Sequence, residues 1–472
     1  LRKLGFIAPI YADANGEILS GHQRHFVATR MGVKNVPVFR IPPMELDKRK
    51  ALNIVFNRAT NDGDICQTPL KAKRILETLN LSELANSIPD KELESKEFFR
   101  CAYPCKVSVA KLCKINSGRW IQYAKSIART LRKAGIIMPI VCTPDGKVIN
   151  GIGRLEMLAE LKADTCEVVY ISEDEAKFAD AMMNLLTMDF NIHERYEDLL
   201  RYNSFRRARR VREELGHGFV FAVHGKNPCH TFDIFNPSQQ AKWRKEHGNT
   251  ILDFGAGHLT ETNILNAAGF DCTPFEPYHI GVSEIDKGKS LGISKKFLEV
   301  VASGKEFTSV FISSVLNSVP FAKDREHIVC ICAALCRPFT KLYACASSTS
   351  ETGYRQVNGK AFHNESNAGN IAFRLEYESG IRIGDFQDKP KVQKYHTKKE
   401  FYDLFYQFFR DVKISEMSGN VCAKCENVRR IPWERLVEAL QFEFNLPYPD
   451  GSRMELIDEA ISAFKHRYEI LG

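Results

Sequence analysis

The chain reads as a multidomain protein of α+β and α/β class: two copies of a small α+β unit, then a doubly wound α/β domain. Three observations predict this. The segment from Gly5 to Ile41 recurs from Gly135 to Ile171 at a constant offset of 130 residues. The run Ile251-Leu252-Asp253-Phe254-Gly255-Ala256-Gly257 has the apolar pattern of a buried strand and closes on a glycine turn. From there to Cys425, strand-like runs alternate with helical spacing, as a mostly parallel sheet requires.

In the repeat, Gly5, Pro9, Gly16, Gly21 and Arg24 match Gly135, Pro139, Gly146, Gly151 and Arg154. The apolar sites Ile7, Ile10, Ile18 and Val38 match Ile137, Ile140, Val148 and Val168. Each copy predicts a strand, a turn at Asn15-Gly16 or Asp145-Gly146, a strand, a glycine, a helix and a strand. The copies occupy 1–61 and 119–200. A helical connector, 62–118, joins them, with helical spacing over Pro69–Leu84 and a second helix from Asp90 toward Phe99.

A basic linker and aromatic lead-in, 201–245, follow. Arg201, Arg206, Arg207, Arg209, Arg210 and Arg212 crowd its start and could neutralise several phosphates of a nucleic acid. The competing reading is a solvated helix paired with Asp198, Glu213 and Glu214.

The α/β domain, 246–430, then unfolds in order. Thr260–Ala268 reads as a helix, and Thr273-Pro274-Phe275-Glu276 as a second strand ending in an acid. No third strand is evident between Ile280 and Phe307. Ser309–Ser313 is a short apolar strand, followed by the loop Ser314–Pro320. Glu326–Cys336 has helical spacing and breaks at Arg337-Pro338-Phe339. Lys341–Ser347 is the next strand. Thr397 with Glu400 forms a capping box ahead of an amphipathic helix. Val412–Ile414 and Asn420–Cys425 close the sheet as a hairpin. Two terminal helices, Pro432–Leu440 and Met454–Tyr468, fill 431–472.

Composition bounds the rest. At 472 residues, with 44% hydrophobic and 26% charged residues, the chain suits about three soluble domains. No apolar run approaches the roughly 18 residues of a membrane span, and no apolar signal core opens the chain. It starts in mid-pattern at Leu1, so residues upstream are expected. Fourteen scattered cysteines fit buried thiols in a reducing cytoplasm better than a disulfide framework. Cys422 and Cys425, like Cys101 and Cys105, are too few for a zinc site.

The chemistry gathers at the glycine turn. Glycines let the backbone approach a ligand, and a helix N-terminus favours polar groups. A carboxylate ending the second strand, Glu276, can grip both hydroxyls of a ribose. The third glycine of a dinucleotide fingerprint is replaced by Thr260. Asp253 ahead of Gly255 and Gly257 resembles motif I of class I S-adenosylmethionine-dependent methyltransferases. That resemblance implies a Rossmann-like fold, S-adenosylmethionine as cofactor, and Asp253, Gly255, Gly257, Glu276 and Ser313 around it. It places Asn317, in the loop after strand four, against the methyl acceptor, although Asn317 also suits a helix-start cap. His258 and His279, each following one of these motifs, suit surface or pocket-lining roles rather than catalysis, and Tyr278 and His279 are placed to contact the cofactor. Asn317-Ser318-Val319-Pro320 departs from the Asn/Asp-Pro-Pro-aromatic loop of DNA amino-methyltransferases, and no Pro-Cys nucleophile follows strand four.

The first copy, with Ile18-Leu19-Ser20-Gly21-His22-Gln23-Arg24-His25, resembles the N-terminal domain of the ParB and sulfiredoxin-like superfamily. This implies a phosphate site at Gly21, His22, Gln23, Arg24 and His25, with a nucleoside triphosphate as its ligand. Gln23 stands where the family often has a second arginine. The second copy keeps Gly151 and Arg154 but carries Ile152, Gly153 and Leu155, so it reads as a degenerate duplicate for packing or DNA docking. The combination is similar to bacteriophage DNA-modification proteins. It implies a methyltransferase acting on DNA or nucleotides in a bacterial host cytoplasm, away from membranes. Two rivals are a ParB-like nucleotide hydrolase or kinase tuned by the C-terminal half, and a non-catalytic DNA-binding protein.

Overall fold

The computed structural model describes residues 1–46, 49–50, 52–53, 56, 69–91, 104–118, 135–185, 197–202, 237–281, 284–350, 373–374, 378–384, 391–417 and 419–471. The chain divides into two compact units. One is Leu1–Glu197 with Lys360–Tyr377 and Ile383–Pro390; the other is Asp198–Gly359 with Glu378–Arg382 and Lys391–Gly472.

The first unit holds both repeat copies. In copy one, β1 (Ile10–Ala12) pairs antiparallel with β2 (Ile18–Ser20) and parallel with β3 (Val38–Arg40), with α1 (His22–Arg30) between β2 and β3. The connector holds α2 (Pro69–Thr78) and α3 (Leu81–Asn86). One continuous helix over Pro69–Leu84 was expected. Instead, Asn80 starts a new helix by accepting from the Glu83 amide at 3.2 Å. The helix expected from Asp90 lies, beyond residue 91, outside the described residues.

Copy two repeats the pattern and adds a layer. After β4 (Cys105–Ser108) and α4 (Val109–Ile115), β5 (Ile140–Cys142) pairs antiparallel with β6 (Val148–Asn150). Then come α5 (Ile152–Glu160), β7 (Thr165–Tyr170) and α6 (Glu173–Asp180). β7 runs parallel to β5 and antiparallel to β4. Gly21 and Gly151 both start their helices in the left-handed region, at φ 105° and 107°, where a side chain would be strained. Ile152 and Leu155 of α5 bury against Val109 and Leu112 of α4. The equivalent residues of α1, His22 and His25, are exposed.

The duplication extends past Ile171. Asn53 Nδ2 donates to the Leu19 carbonyl, and Asn184 Nδ2 donates to the Ile149 carbonyl at 2.9 Å. The carbonyls keep the repeat offset, but the asparagines are one residue further apart. A π-helical turn at Ala181–Leu185 takes up that extra residue, as single-residue helix insertions do.

The second unit begins with α7 (Glu197–Tyr202) and α8 (Pro237–His247). The elements β8 (Thr250–Phe254), α9 (Thr260–Ala267), β9 (Asp271–Phe275), α10 (Lys287–Ala302), β10 (Ser309–Ser313), α11 (Ala322–Ala334) and β11 (Lys341–Ser347) follow. Of the short strands that precede α12 (Lys398–Tyr406), β12 (Phe373–Arg374) is assigned to the first unit, β13 (Ile381–Gly384) is divided between the two, and β14 (Lys391–Lys394) is assigned to the second. β15 (Phe409–Met417) and β16 (Asn420–Val428) form the expected hairpin, longer than read, and α13 (Trp433–Glu443) and α14 (Ile457–Leu471) end the unit.

The sheet order is β15-β16-β11-β10-β8-β9, with β16 antiparallel to both neighbours and the other pairs parallel. Its central strands are buried on both faces, which is why they read as continuous apolar runs rather than alternating ones. Trp243, Ile264, Leu265, Phe270, Phe311 and Tyr343 belong to one core cluster. Phe254, Phe275, Phe297 and Phe444 stack in another group. No third strand occurs among the described residues between β9 and β10. The crossover is α10, whose Ile293, Phe297, Leu298 and Val301 are buried at helical spacing. β9 is therefore an edge strand.

Candidate functional site

In a doubly wound sheet, ligands bind beyond the carboxyl ends of the strands where the strand order reverses. Here that point lies between β8 and β10. The chain leaves β8 through Gly255 and Gly257, at φ 84° and 56°. The amides of Gly255 and Ala256 both donate to the Phe275 carbonyl, at 2.7 and 2.9 Å, which ties the corner to the end of β9.

Both acids singled out in the sequence meet this corner. Glu276 accepts from the Gly257 amide at 2.6 Å and from the Tyr278 amide at 2.9 Å. Asp253 accepts from the Thr262 hydroxyl at 2.8 Å, fastening α9 to β8. His279 Nδ1 lies 2.8 Å from the Gly257 carbonyl, and its own amide donates to Ser290 Oγ at 2.9 Å. A Cβ on Gly257 would meet nothing within 4 Å, whereas one on Gly255 would come within 2.3 Å of a Val315 methyl. Gly255, Gly257 and His258, after β8, and Ser313, Ser314 and Val315, after β10, are half-buried, whereas Asp253 and Glu276 are buried. Leu259 and Ser314 hold left-handed φ angles of 61° and 58°, one in each of these two loops. Such strain in non-glycine residues concentrates at binding sites.

These features fit the sulfonium nucleoside expected from the sequence. The backbone is open at Gly257, and the Glu276 carboxylate is bonded to its amide. Thr262, Ser290 and Val315 were not singled out in the sequence; their roles depend on contacts made only after folding.

Asn317 sits inside a 3₁₀ turn, Leu316–Ser318, rather than at a helix start, and it is buried with no hydrogen-bond partner for Oδ1 among the described residues. Its loop is gripped from two sides. Arg325 Nη1 donates to the Val319 carbonyl at 2.8 Å, and His396 Nε2 lies 3.4 Å from the Leu316 carbonyl. Arg325 is ion-paired with Glu378, which also holds Lys394 at 3.0 Å. Burial, with Arg325 and Lys394 nearby, holds His396 well below the usual histidine range. The ring is neutral and donates from Nε2. None of these partners carries a signal readable from local sequence.

In copy one, His22, Gln23 and His25 are exposed at the start of α1. Arg24 turns back, Nη2 donating to the Pro9 carbonyl at 3.0 Å over Gly21. Arg154 does likewise in copy two, with Asn150 Oδ1 as acceptor at 2.5 Å. Arg206, Arg207, Arg209 and Arg210 lie outside the described residues, as does Arg212. Arg201 is a packing residue, bonded to Asp324 at 2.9 Å and lying over the rings of Phe321 and Phe442. Cys422 and Cys425 are buried on β16, and no cluster suited to a metal occurs among the described residues. No helix among them is long and apolar enough to cross a membrane.

No family model matches the sequence, and no curated protein matches it. Among solved structures, the chain is similar to the PH0226 protein of Pyrococcus horikoshii, at 10% identity, covering 41% of this chain and 93% of that one, with a TM-score of 0.28. It is also similar to the CcbJ methyltransferase of Streptomyces caelestis, at 10% identity, covering 38% and 89%, with a TM-score of 0.25. A third is an S-adenosylmethionine-dependent methyltransferase of Clostridium acetobutylicum, at 8% identity, covering 40% and 89%, with a TM-score of 0.26. At such scores these likenesses carry no argument; the strand order and the contacts of the corner stand by themselves.

Proposed function

We propose that the second unit is an S-adenosylmethionine-dependent methyltransferase acting on DNA or nucleotides. One observation carries this reading: the Gly257 amide and the Glu276 carboxylate meet at the point where the strand order reverses, with an open face beside them. Glu276 would receive the ribose hydroxyls, and the Gly255–Gly257 backbone with Asp253 would shape the methionine end. The cofactor supplies an electrophilic methyl group on a sulfonium.

The protein's share is alignment and exclusion of water. The loop Ser313–Pro320 faces the acceptor. Asn317 orients an N–H donor there without acting as a base, because an amide has no useful basicity. His396, neutral and committed to the Leu316 carbonyl, serves the loop rather than a proton transfer. The DNA or nucleotide acceptor follows from the resemblance of copy one to ParB-like modules in phage modification proteins. A duplex target would require extrusion of its base. The exposure of His22, Gln23 and His25, where copy two buries Ile152 and Leu155, supports a nucleotide- or phosphate-binding role for copy one.

The decisive experiment is isothermal titration of S-adenosylmethionine into the wild type and Asp253→Ala. Binding by the wild type and its loss in the variant support the reading; absence of wild-type binding ends it. Transfer of labelled methyl to phage DNA, host DNA or free nucleotides then identifies the acceptor. Nucleotide turnover abolished by Arg24→Ala, without methyl transfer, would shift the activity to copy one.

A further inference from the structure

Between β9 and β10 the described residues hold one helix, α10, where a further strand could have walled the nucleoside side of the site. Something else covers that edge. The segment from Phe444 to Arg453 returns from the end of α13 and forms a turn bridged at Pro447 and Arg453. Phe444 packs against Phe275, the last residue of β9, with ring centroids 5.4 Å apart. Tyr278 donates its hydroxyl to the Pro447 carbonyl at 2.9 Å, and Tyr448 donates its own to the Pro277 carbonyl at 3.3 Å. The two rings meet edge to face at 5.9 Å. Lys287, at the start of α10, reaches Ser452 Oγ at 2.5 Å and Asp450 at 3.5 Å. Tyr278 is also the residue whose amide binds Glu276.

We infer that the turn Phe444–Arg453 replaces the missing strand as the wall of the nucleobase side of the cofactor site, with Tyr448 as the residue that positions it. The inference rests on the proposed cofactor reading and names how that site is completed. Reciprocal tyrosine-to-carbonyl bonds join the turn to both residues that follow the ribose acid. Movement of the turn is therefore transmitted directly to Pro277, Tyr278 and Glu276. The wall comes from far downstream in the chain: Tyr278 and Pro447 are 169 residues apart, and Pro277 and Tyr448 171.

The test uses the full chain and two probes, S-adenosylhomocysteine and 5′-methylthioadenosine, which share the nucleoside and differ in the amino-acid end. Titrations compare the wild type, Tyr448→Ala and Tyr448→Phe, with thermal melting as the folding check. Tyr448→Phe keeps the ring and removes only the bond to Pro277. Both probes are expected to weaken by the same factor, about tenfold for Tyr448→Phe, the scale of one lost hydrogen bond. Hydrogen exchange on the wild type supplies a second readout. The amides of Tyr448 and Met454, bonded within the turn, should exchange more slowly when S-adenosylhomocysteine is bound. Unchanged affinities in a folded variant, or unchanged exchange on binding, overturn the inference and leave the cofactor reading intact. If the wild type binds neither probe, the cofactor reading fails, and this inference fails with it.

Discussion

Glu276 Oε2 lies 2.6 Å from the Gly257 nitrogen, so the acid that ends β9 is bonded directly to the glycine corner that ends β8. Its other oxygen takes the Tyr278 amide. Both oxygens accept, and a carboxylate suits two N–H donors where an amide does not. Glu276→Gln keeps the size but turns one acceptor into a donor facing an N–H. The expected result is a loss of S-adenosylhomocysteine affinity of roughly ten- to a hundredfold, the scale of a buried hydrogen bond to a charged group. Titration calorimetry measures it; an unchanged Kd would remove Glu276 from the site.

Gly255 and Val315 are a second coupled pair. A methyl on Gly255 would sit 2.3 Å from a Val315 methyl, and the backbone there has φ 84°. Gly255→Ala therefore carries a clash and a left-handed backbone penalty of about 1–2 kcal/mol. Adding Val315→Ala should relieve the clash and leave the backbone penalty. Urea denaturation of the two single variants and the double variant should show a non-additive recovery. Strict additivity would mean the two loops do not touch.

Most of this sheet is legible because its strands are short, fully buried and separated by helices. Ile251–Phe254, Ser309–Ile312 and Leu342–Ala346 can be read as apolar runs for that reason. The missing strand is a different case. Between Ile280 and Phe307 the apolar residues Ile293, Phe297, Leu298 and Val301 fall at helical spacing, and α10 is what they specify. The local pattern there speaks for the helix, while the Rossmann-like expectation leads one to look for a strand. The extension of the repeat through Asn53 and Asn184 escapes a search at constant offset because the π turn inserts one residue between them. The partners of the Asn317 loop, Arg325, Glu378 and His396, are set by tertiary contact alone.

Those partners give a prediction that separates chemistry from binding. Arg325→Met fills similar volume but releases the Val319 carbonyl and leaves Glu378 to Lys394. The loop amides of Ser318 and Val319, bonded to Val315 and Leu316, should then exchange with solvent markedly faster. Cofactor affinity should be unchanged, since the corner of Gly255, Gly257 and Glu276 is untouched. Once an acceptor is in hand, turnover should fall while the cofactor Kd does not. Wild-type exchange rates at Ser318 and Val319 in this variant would show that Arg325 does not hold the loop.

His247 ties stability to pH. It ends α8, buried against Trp243, Phe311 and Tyr343 at ring distances of 4.4, 5.5 and 4.8 Å, and its Nδ1 has no hydrogen-bond partner among the described residues. Burial, with Lys341 and Lys424 adding repulsion, pulls it down to about 3. Glu246, 4.0 Å from Nε2, is the opposing charge beside it. The unfolded chain titrates this group near about 6.5, so unfolding takes up a proton between the two values. The stability that depends on a neutral His247 is thus complete above about pH 6.5 and lost as the pH falls toward the folded value. His247→Phe keeps the aromatic packing and removes both the titration and the unpaired nitrogen. Urea unfolding at pH 5 and pH 8 should find the variant more stable than wild type at pH 5 by a larger margin than at pH 8. Parallel stability profiles for the two proteins would mean that this imidazole is not held neutral in the core.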